Sequence, residues 1–113
     1  MRQKLHANTA APDWQLCTAA INLFYDKNIT GSQWVYEALR NKYKILFYSG
    51  DCDGAVPTWG TVQWIEELNW EIKEKWTPFF YGGQLAGYKE VRDGMTFVTI
   101  HGAGHMAPMN KRG

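Results

Sequence analysis

The chain has 113 residues, 45% of them hydrophobic and 15% aromatic, and its 12 basic and 11 acidic side chains give a net charge of +1. This composition predicts one globular domain with a sizeable core and excludes a disordered chain. It also excludes a nucleic-acid partner, which needs a clustered basic excess. A membrane span is excluded because no apolar run approaches about 18 residues.

Helices are predicted in the first third of the chain. Residues 2–7 form a short helical end, and a helix over residues 14–25 follows, capped by Asp13. A second helix over residues 32–41 is capped by Ser32. The first helix carries apolar residues on one side, namely Leu16, Ala20, Leu23 and Phe24. The second is expected to bury Trp34, Val35, Ala38 and Leu39.

The remainder of the chain is predicted to be mostly β-structure. A strand over residues 44–49 is followed by a helix over 58–68, a β-hairpin of 76–81 and 85–91 around Gly82-Gly83, and a last strand over 95–100.

Two of these strands, ILFY at 45–48 and MTFVTI at 95–100, carry apolar residues at neighbouring positions. This pattern is typical of parallel strands that helices cover on both faces. A sheet of two such strands is marginal because its outer edges stay unpaired. We therefore expect an α/β fold that is incomplete by itself, with the last parallel strands of a larger sheet, flanking helices and a β-hairpin.

Carboxylates and imidazoles follow these two strands. Asp51 and Asp53 come after the first, and the segment HGAGHMAP after the second contains His101 and His105. Polar groups at the carboxyl ends of neighbouring parallel strands meet, and a carboxylate fixes the tautomer of an imidazole that acts as a base. Two glycines, 102 and 104, let the backbone bend so that the second histidine faces back over the sheet. The alternative reading makes the aspartates turn formers and the first histidine a polar strand end.

Metal binding by these side chains is disfavoured, and no cofactor is predicted. Gly102 and Gly104 argue against a helical H-x-x-x-H zinc motif, and the DxD stretch lacks the further oxygen ligands of a calcium loop. Cys52 as a nucleophile is disfavoured because its side chain should diverge from that of the adjacent Asp53.

The two cysteines and one sequon bear on the compartment. Cys17 and Cys52 are each read as small hydrophobes, as partners in one disulfide, or, for Cys17, as the partner of a cysteine in another chain. Asn28 begins the sequon Asn28-Ile29-Thr30, which is a glycosylation site if the chain enters the secretory route.

Several segments, in order, resemble the serine carboxypeptidases, a family with the α/β-hydrolase fold. They are YSGDCDGAVP, GMTFVTIHGAGHMAP some fifty residues later, LHAN near the start, the spacing from Trp14 to Cys17, and GGQLAGY before the last strand. Residues 2–110 resemble the C-terminal part of that family. The whole chain, 1–113, is thus expected to be the C-terminal portion of such a domain.

The resemblance implies roles for individual residues. Asp53 corresponds to the triad acid and His105 to the general base, whereas Asp51 is structural. Met106 corresponds to a residue on the leaving-group side of the substrate site. Cys17 corresponds to a cysteine that bonds a partner upstream, outside this chain. Cys52 stands where the family has an uncharged residue, and we read it as packing.

The nucleophile of this fold lies in a G-x-S-x-G elbow, and neither serine of this chain, Ser32 or Ser49, has that pattern. The expected function is therefore a serine carboxypeptidase segment that supplies acid and base and is inactive alone. Its partners are a peptide substrate and an upstream or companion segment with the serine. The family works in vacuoles, lysosomes or outside the cell. The alternative is a non-catalytic structural or assembly subunit.

Overall fold

The computed structural model of the protein describes residues 13, 15 and 17–111. The chain divides into two compact units, residues 1–31 and 32–113, which are described separately below. In the described part of the chain, no helix has both the length and the apolar character needed to cross a membrane.

In the first unit, the described residues form one short helix, α1 (Ala19–Phe24). It is shorter than predicted, and its N-cap is Thr18 rather than Asp13, because Thr18 has an extended backbone (φ −125°, ψ 111°). Leu23 and Phe24, on the apolar side of the predicted helix, are exposed, since no described part of this unit covers them. The predicted helical end at 2–7 and the predicted helix start at Trp14 lie outside the described residues.

The second unit is a four-stranded mixed sheet with helices. Its elements are α2 (Gln33–Leu39), β1 (Ile45–Gly50), α3 (Thr58–Glu67), β2 (Ile72–Tyr81), β3 (Gln84–Arg92), β4 (Met95–Ile100) and α4 (Ala107–Asn110). The strand order is β1-β4-β3-β2, and β1 and β4 are parallel. The predicted hairpin is confirmed, although β2 begins four residues earlier than expected. Its two turn glycines both have positive φ, as a tight hairpin turn requires.

The core of this unit lies on one face of the sheet. Its buried members are Ile65, Trp70, Met95 and Phe97, and burial of a side chain such as Phe97 contributes about 1.5–3 kcal/mol. Helix α2 contributes Tyr36, which stacks on Trp64 with ring centroids 5.0 Å apart. The prediction that this helix buries Trp34, Val35, Ala38 and Leu39 was wrong, because none of the four is buried. The helix turns Tyr36 toward the core, which leaves Trp34 72% exposed and Ala38 exposed as well.

The opposite face of β1 is open. Ile45 and Phe47 pack against the core, whereas Leu46 and Tyr48 are 65% and 50% exposed. The expectation that this strand is buried on both faces is therefore wrong for the described chain, since α2 and α3 supply side chains to the core face alone. β4 alternates in the same way, with Met95, Phe97 and Thr99 buried.

The register of the parallel pair determines where the polar loops lie. Ile45 pairs with Met95 and Gly50 with Ile100, so both strands end at the same edge of the sheet. Residues 51–57, here called the aspartate loop, therefore leave the sheet beside residues 101–106, the histidine loop.

Candidate active site

The two loops approach each other closely at Gly50, the last residue of β1. A Cβ atom at this position would lie within 2.5 Å of the carbonyl oxygens of Ala103 and Gly104. Just beyond it, Asp51 N donates to Ile100 O at the end of β4 (3.1 Å), and Cys52 N donates to Ala103 O in the histidine loop (2.9 Å). The lack of a side chain at Gly50 thus allows the histidine loop to lie directly on the strand end.

Asp53 is held at both of its carboxylate oxygens. Oδ1 accepts hydrogen bonds from the backbone N–H groups of Ala55 (2.8 Å) and Val56 (3.0 Å), and Oδ2 lies 3.1 Å from His105 Nδ1. The N–H of Val56 is the main cause that lowers the pKa of Asp53. Partial burial opposes this shift, and His105 adds to it. The carboxylate form is therefore favoured, and its side chain is only 7% exposed.

His105 is oriented by that contact and remains accessible. Its side chain is 59% exposed, and Nδ1 is engaged by Asp53, so Nε2 is the nitrogen left for proton transfer. An open cleft of about 410 Å³ adjoins the pair, and its lining includes Asp53, His105, Val56, Leu46 and Tyr48. The sequence thus correctly predicted that Asp53 and His105 meet.

A second carboxylate–imidazole pair lies beside the first. His101 Nδ1 is 2.7 Å from Asp51 Oδ2, and the N–H of Gly102 donates to Asp51 Oδ1 at 2.7 Å. Burial raises the pKa of Asp51, but the hydrogen bonds from His101 and Gly102 outweigh it and the pKa is lowered. The pairing of Asp51 with His101 was not predicted from the sequence. The sequence nevertheless contained a signal for this pair, because each residue is the first one after one of the two parallel strands.

Neither of the two serines of the chain, both of which the structure describes, is hydrogen-bonded to His105. Ser49 is buried, and its hydroxyl is hydrogen-bonded to Thr58 Oγ1 (2.8 Å), which also donates to Gly50 O (2.9 Å). Ser32 is the N-cap of α2, as predicted, but its side chain makes no capping hydrogen bond.

Cys52 does not have the features of a nucleophile. Its thiol is exposed and donates a hydrogen bond to Asp51 Oδ1 (3.3 Å), which raises the pKa of Cys52 and so disfavours the thiolate. Cys17 is also exposed, and neither cysteine forms a disulfide, so the option of a mutual bond is not realised.

The remaining predicted residues have simple surroundings. Met106 is half-buried and is the N-cap of α4, directly after His105. Asn28 is exposed, and its Oδ1 accepts hydrogen bonds from Thr30 N (2.9 Å) and Thr30 Oγ1 (2.6 Å). Among the residues that the structure describes, no cluster of three or more His, Cys, Asp or Glu side chains is arranged to hold a metal ion.

Comparisons with known proteins give a consistent result. The family model described as serine carboxypeptidase matches residues 1–113. The chain is 37% identical over 114 residues to serine carboxypeptidase-like 33 of Arabidopsis thaliana, covering 98% of this chain and 24% of that protein. Serine carboxypeptidase 1 of Hordeum vulgare is 34% identical over 116 residues, with 98% and 23% covered. The chain thus spans about a quarter of the length of these relatives. On this evidence the chain belongs to the serine carboxypeptidase family.

Proposed function

We propose that this chain supplies the acid and the base of a Ser-His-Asp triad in a serine-type carboxypeptidase, which removes C-terminal residues from peptides. The observation that carries the proposal is the hydrogen bond between His105 Nδ1 and Asp53 Oδ2 at the ends of two parallel strands. Membership of the serine carboxypeptidase family supports the class of reaction.

The two side chains divide the proton transfer between them. Asp53 fixes the His105 tautomer with hydrogen on Nδ1, and Nε2 then takes the proton of the attacking serine and passes it to the leaving amine. Asp53 stays ionised throughout, and its lowered pKa favours that form. The carboxylate can therefore stabilise the imidazolium that exists between the two transfers.

The nucleophile in this proposal belongs to a segment outside these 113 residues. Ser49 is buried against Thr58, and Ser32 begins α2, so neither serves as the nucleophile. β1 is an edge strand with Leu46 and Tyr48 exposed on the open face beside the His105 cleft. We assign this face to the segment that carries the serine. The sheet is then incomplete by itself, and the isolated chain is inactive.

Three further assignments belong to the same proposal. Met106, directly after His105 and half-buried, contacts the C-terminal residue of the substrate on the leaving-group side. Cys17, whose thiol is free and exposed, forms a disulfide with a cysteine outside this chain. Asn28 carries a glycan on its exposed turn, which would place the protein in a vacuole, in a lysosome or outside the cell. Intact mass before and after reduction and glycosidase treatment tests the last two.

The test of the triad uses the native protein that contains this chain. A fluorophosphonate probe labels activated serines, and mass spectrometry of every polypeptide present locates the label. We expect one labelled serine outside residues 1–113, and Asp53→Asn should lower turnover by about four orders of magnitude. Glu71→Gln is a matched control, because it removes the charge of an exposed carboxylate that is paired with Lys73 outside both loops.

The opposite outcomes are equally clear. A folded protein without a labelled serine, whose turnover is unaffected by Asp53→Asn and His105→Ala, would instead be a structural or assembly subunit. Peptidase turnover by purified residues 1–113 would contradict the assignment of the nucleophile to another segment.

A further inference from the structure

The Asp51–His101 pair joins the same two loops as the proposed catalytic pair. Its hydrogen bond is 2.7 Å long, against 3.1 Å for Asp53–His105. The second oxygen of Asp51 accepts the N–H of Gly102, so the carboxylate spans two consecutive residues of the histidine loop. A charge-assisted hydrogen bond of this length is among the stronger polar contacts in a protein.

Hydrogen bonds between the loops are concentrated at their inner ends. Asp51 makes two, through its carboxylate oxygens to His101 and Gly102, and the backbone N–H of Cys52 makes a third to Ala103 O. The backbone N–H of Asp51 also donates to Ile100 O, at the end of β4. Farther out, the described residues make a single hydrogen bond between the loops, the one from His105 to Asp53. The relative position of the two loops is therefore set mainly by residues other than the proposed catalytic pair.

This arrangement has consequences for reactivity. An exposed imidazole with one hydrogen bond is weakly held, and His105 is 59% exposed. A displacement of about 1 Å in a reacting group costs roughly 100-fold in rate. A rigid connection close to the strand ends would keep His105 within that tolerance.

We propose that Asp51 and His101 are a positioning pair that holds the histidine loop against the aspartate loop and so fixes the Asp53–His105 geometry. This inference rests on the proposed function, since it assigns a role in the same reaction. Neither residue of the pair is assigned a contact with substrate. The lowered pKa of Asp51 supports the role, because it keeps the accepting carboxylate charged.

Two other polar groups, a thiol and an ammonium, lie near the Asp51–His101 pair. The Cys52 thiol donates to Asp51 Oδ1. The Lys111 ammonium lies near Gly102, since a Cβ at that glycine would be 3.3 Å from Nζ. Neither of these contacts involves the His101 side chain, so substitutions at His101 are directed at the contact between the loops alone.

The experiment compares variants of the native protein that contains this chain. His101→Ala and Asp51→Ala remove the pair, and His101→Asn retains an N–H at the same distance from the backbone as Nδ1. The rate constant kcat is measured per active site, titrated with a fluorophosphonate, on an N-blocked dipeptide. We expect both alanine variants to lose about 10- to 100-fold in kcat with KM changed less than about threefold, and His101→Asn to recover most of the loss.

Other results would refute the inference. Unchanged kcat per titrated site in His101→Ala would show that the pair has no positioning role. A loss that appears in KM alone, or one that His101→Asn does not recover, would have the same meaning. Because the His101 side chain is 58% exposed, His101→Ala should fold even if Asp51→Ala does not.

The same series separates this inference from the proposed function. If Asp53→Asn abolishes turnover and His101→Ala does not lower it, the proposed function stands and the positioning role fails. If Asp53→Asn has no effect, the proposed function itself fails. Glu71→Gln again serves as the control, since it disrupts an exposed ion pair of 2.6 Å with Lys73.

Discussion

Gly50→Ala should separate the two loops, because the new methyl group would overlap the histidine loop. Its Cβ would lie within 2.5 Å of the carbonyl oxygens of Ala103 and Gly104, whereas carbon–oxygen contacts are normally about 3.3–3.6 Å. A gap of about 1 Å must therefore open between backbone segments that have no flexible side chain to yield. We expect a loss of about 1–3 kcal/mol in the free energy of unfolding and roughly 100-fold in turnover.

Gly54→Ala is the matched control for this change. It lies in the aspartate loop, has no atom within 4 Å of its added Cβ and does not have a positive φ. Its effect on the free energy of unfolding should stay within about 0.5 kcal/mol. Urea unfolding followed by tryptophan fluorescence measures both variants, and peptidase assays give the turnover. If Gly50→Ala unfolds at the same urea concentration as the wild type and keeps its turnover, the inferred close approach is wrong.

Two further predictions concern charged groups. Glu90→Ala should lower the free energy of unfolding by about 3–5 kcal/mol, because it leaves the Arg92 guanidinium, now paired at 2.6 Å and 8% exposed, buried without a partner. Glu71→Ala, which breaks an exposed pair, should cost less than about 1 kcal/mol in the same urea titration, and equal losses would contradict the argument. The lowered pKa values of Asp51 and Asp53 stabilise the fold fully at pH values well above 3.8, the ordinary value, and this stabilisation is lost as pH falls through the native pKa values. Replacing both by Asn should flatten the fall of stability in acid, and an unchanged acid profile would refute this.

The meeting of Asp53 with His105 could be predicted from the sequence because it depends on two strong local signals. Each of the strands that precede these residues has a distinct apolar pattern, and parallel strands end at one edge of the sheet. The polar residues that follow must then be neighbours. The hairpin was predictable for a similar reason, since Gly82-Gly83 is a strong turn signal between two strands.

Burial was less predictable, because it depends on which neighbour covers each face. Apolar side chains at 46 and 48 suggested a strand buried on both faces, yet α2 and α3 pack only on the face of Phe47. In α2 the pattern predicted that Trp34 lies in the core, but the helix presents Tyr36 to Trp64. The local sequence pattern identifies an apolar strand or helix, but it does not show which element packs on each of its faces.

The two carboxylate–imidazole pairs differ in how the sheet register produces them. Positions paired across β1 and β4 differ by 50, so Asp51 is brought opposite His101 by simple continuation of the strands. The same continuation would place Asp53 opposite Ala103, two residues before His105. A turn at Gly102 accounts for this offset of two residues. Gly102 has a φ of +68°, which turns the chain back, and the N–H of Ala103 donates a hydrogen bond to Ile100 O within the turn.

The Asp53–His105 pair therefore depends on a turn of the histidine loop as much as on the two polar residues. That turn is fastened by the N–H of Gly102 on Asp51, and it brings a buried Ala103 against the strand end at Gly50. A relative with the same aspartate and histidine but with a bulky residue in place of Gly50 or Gly102 would retain the acid and the base, but its loops could not adopt this geometry. Whether a relative can form this site is therefore better judged from Gly50, Gly102 and Asp51 together with Asp53 and His105. The last two residues alone are not sufficient.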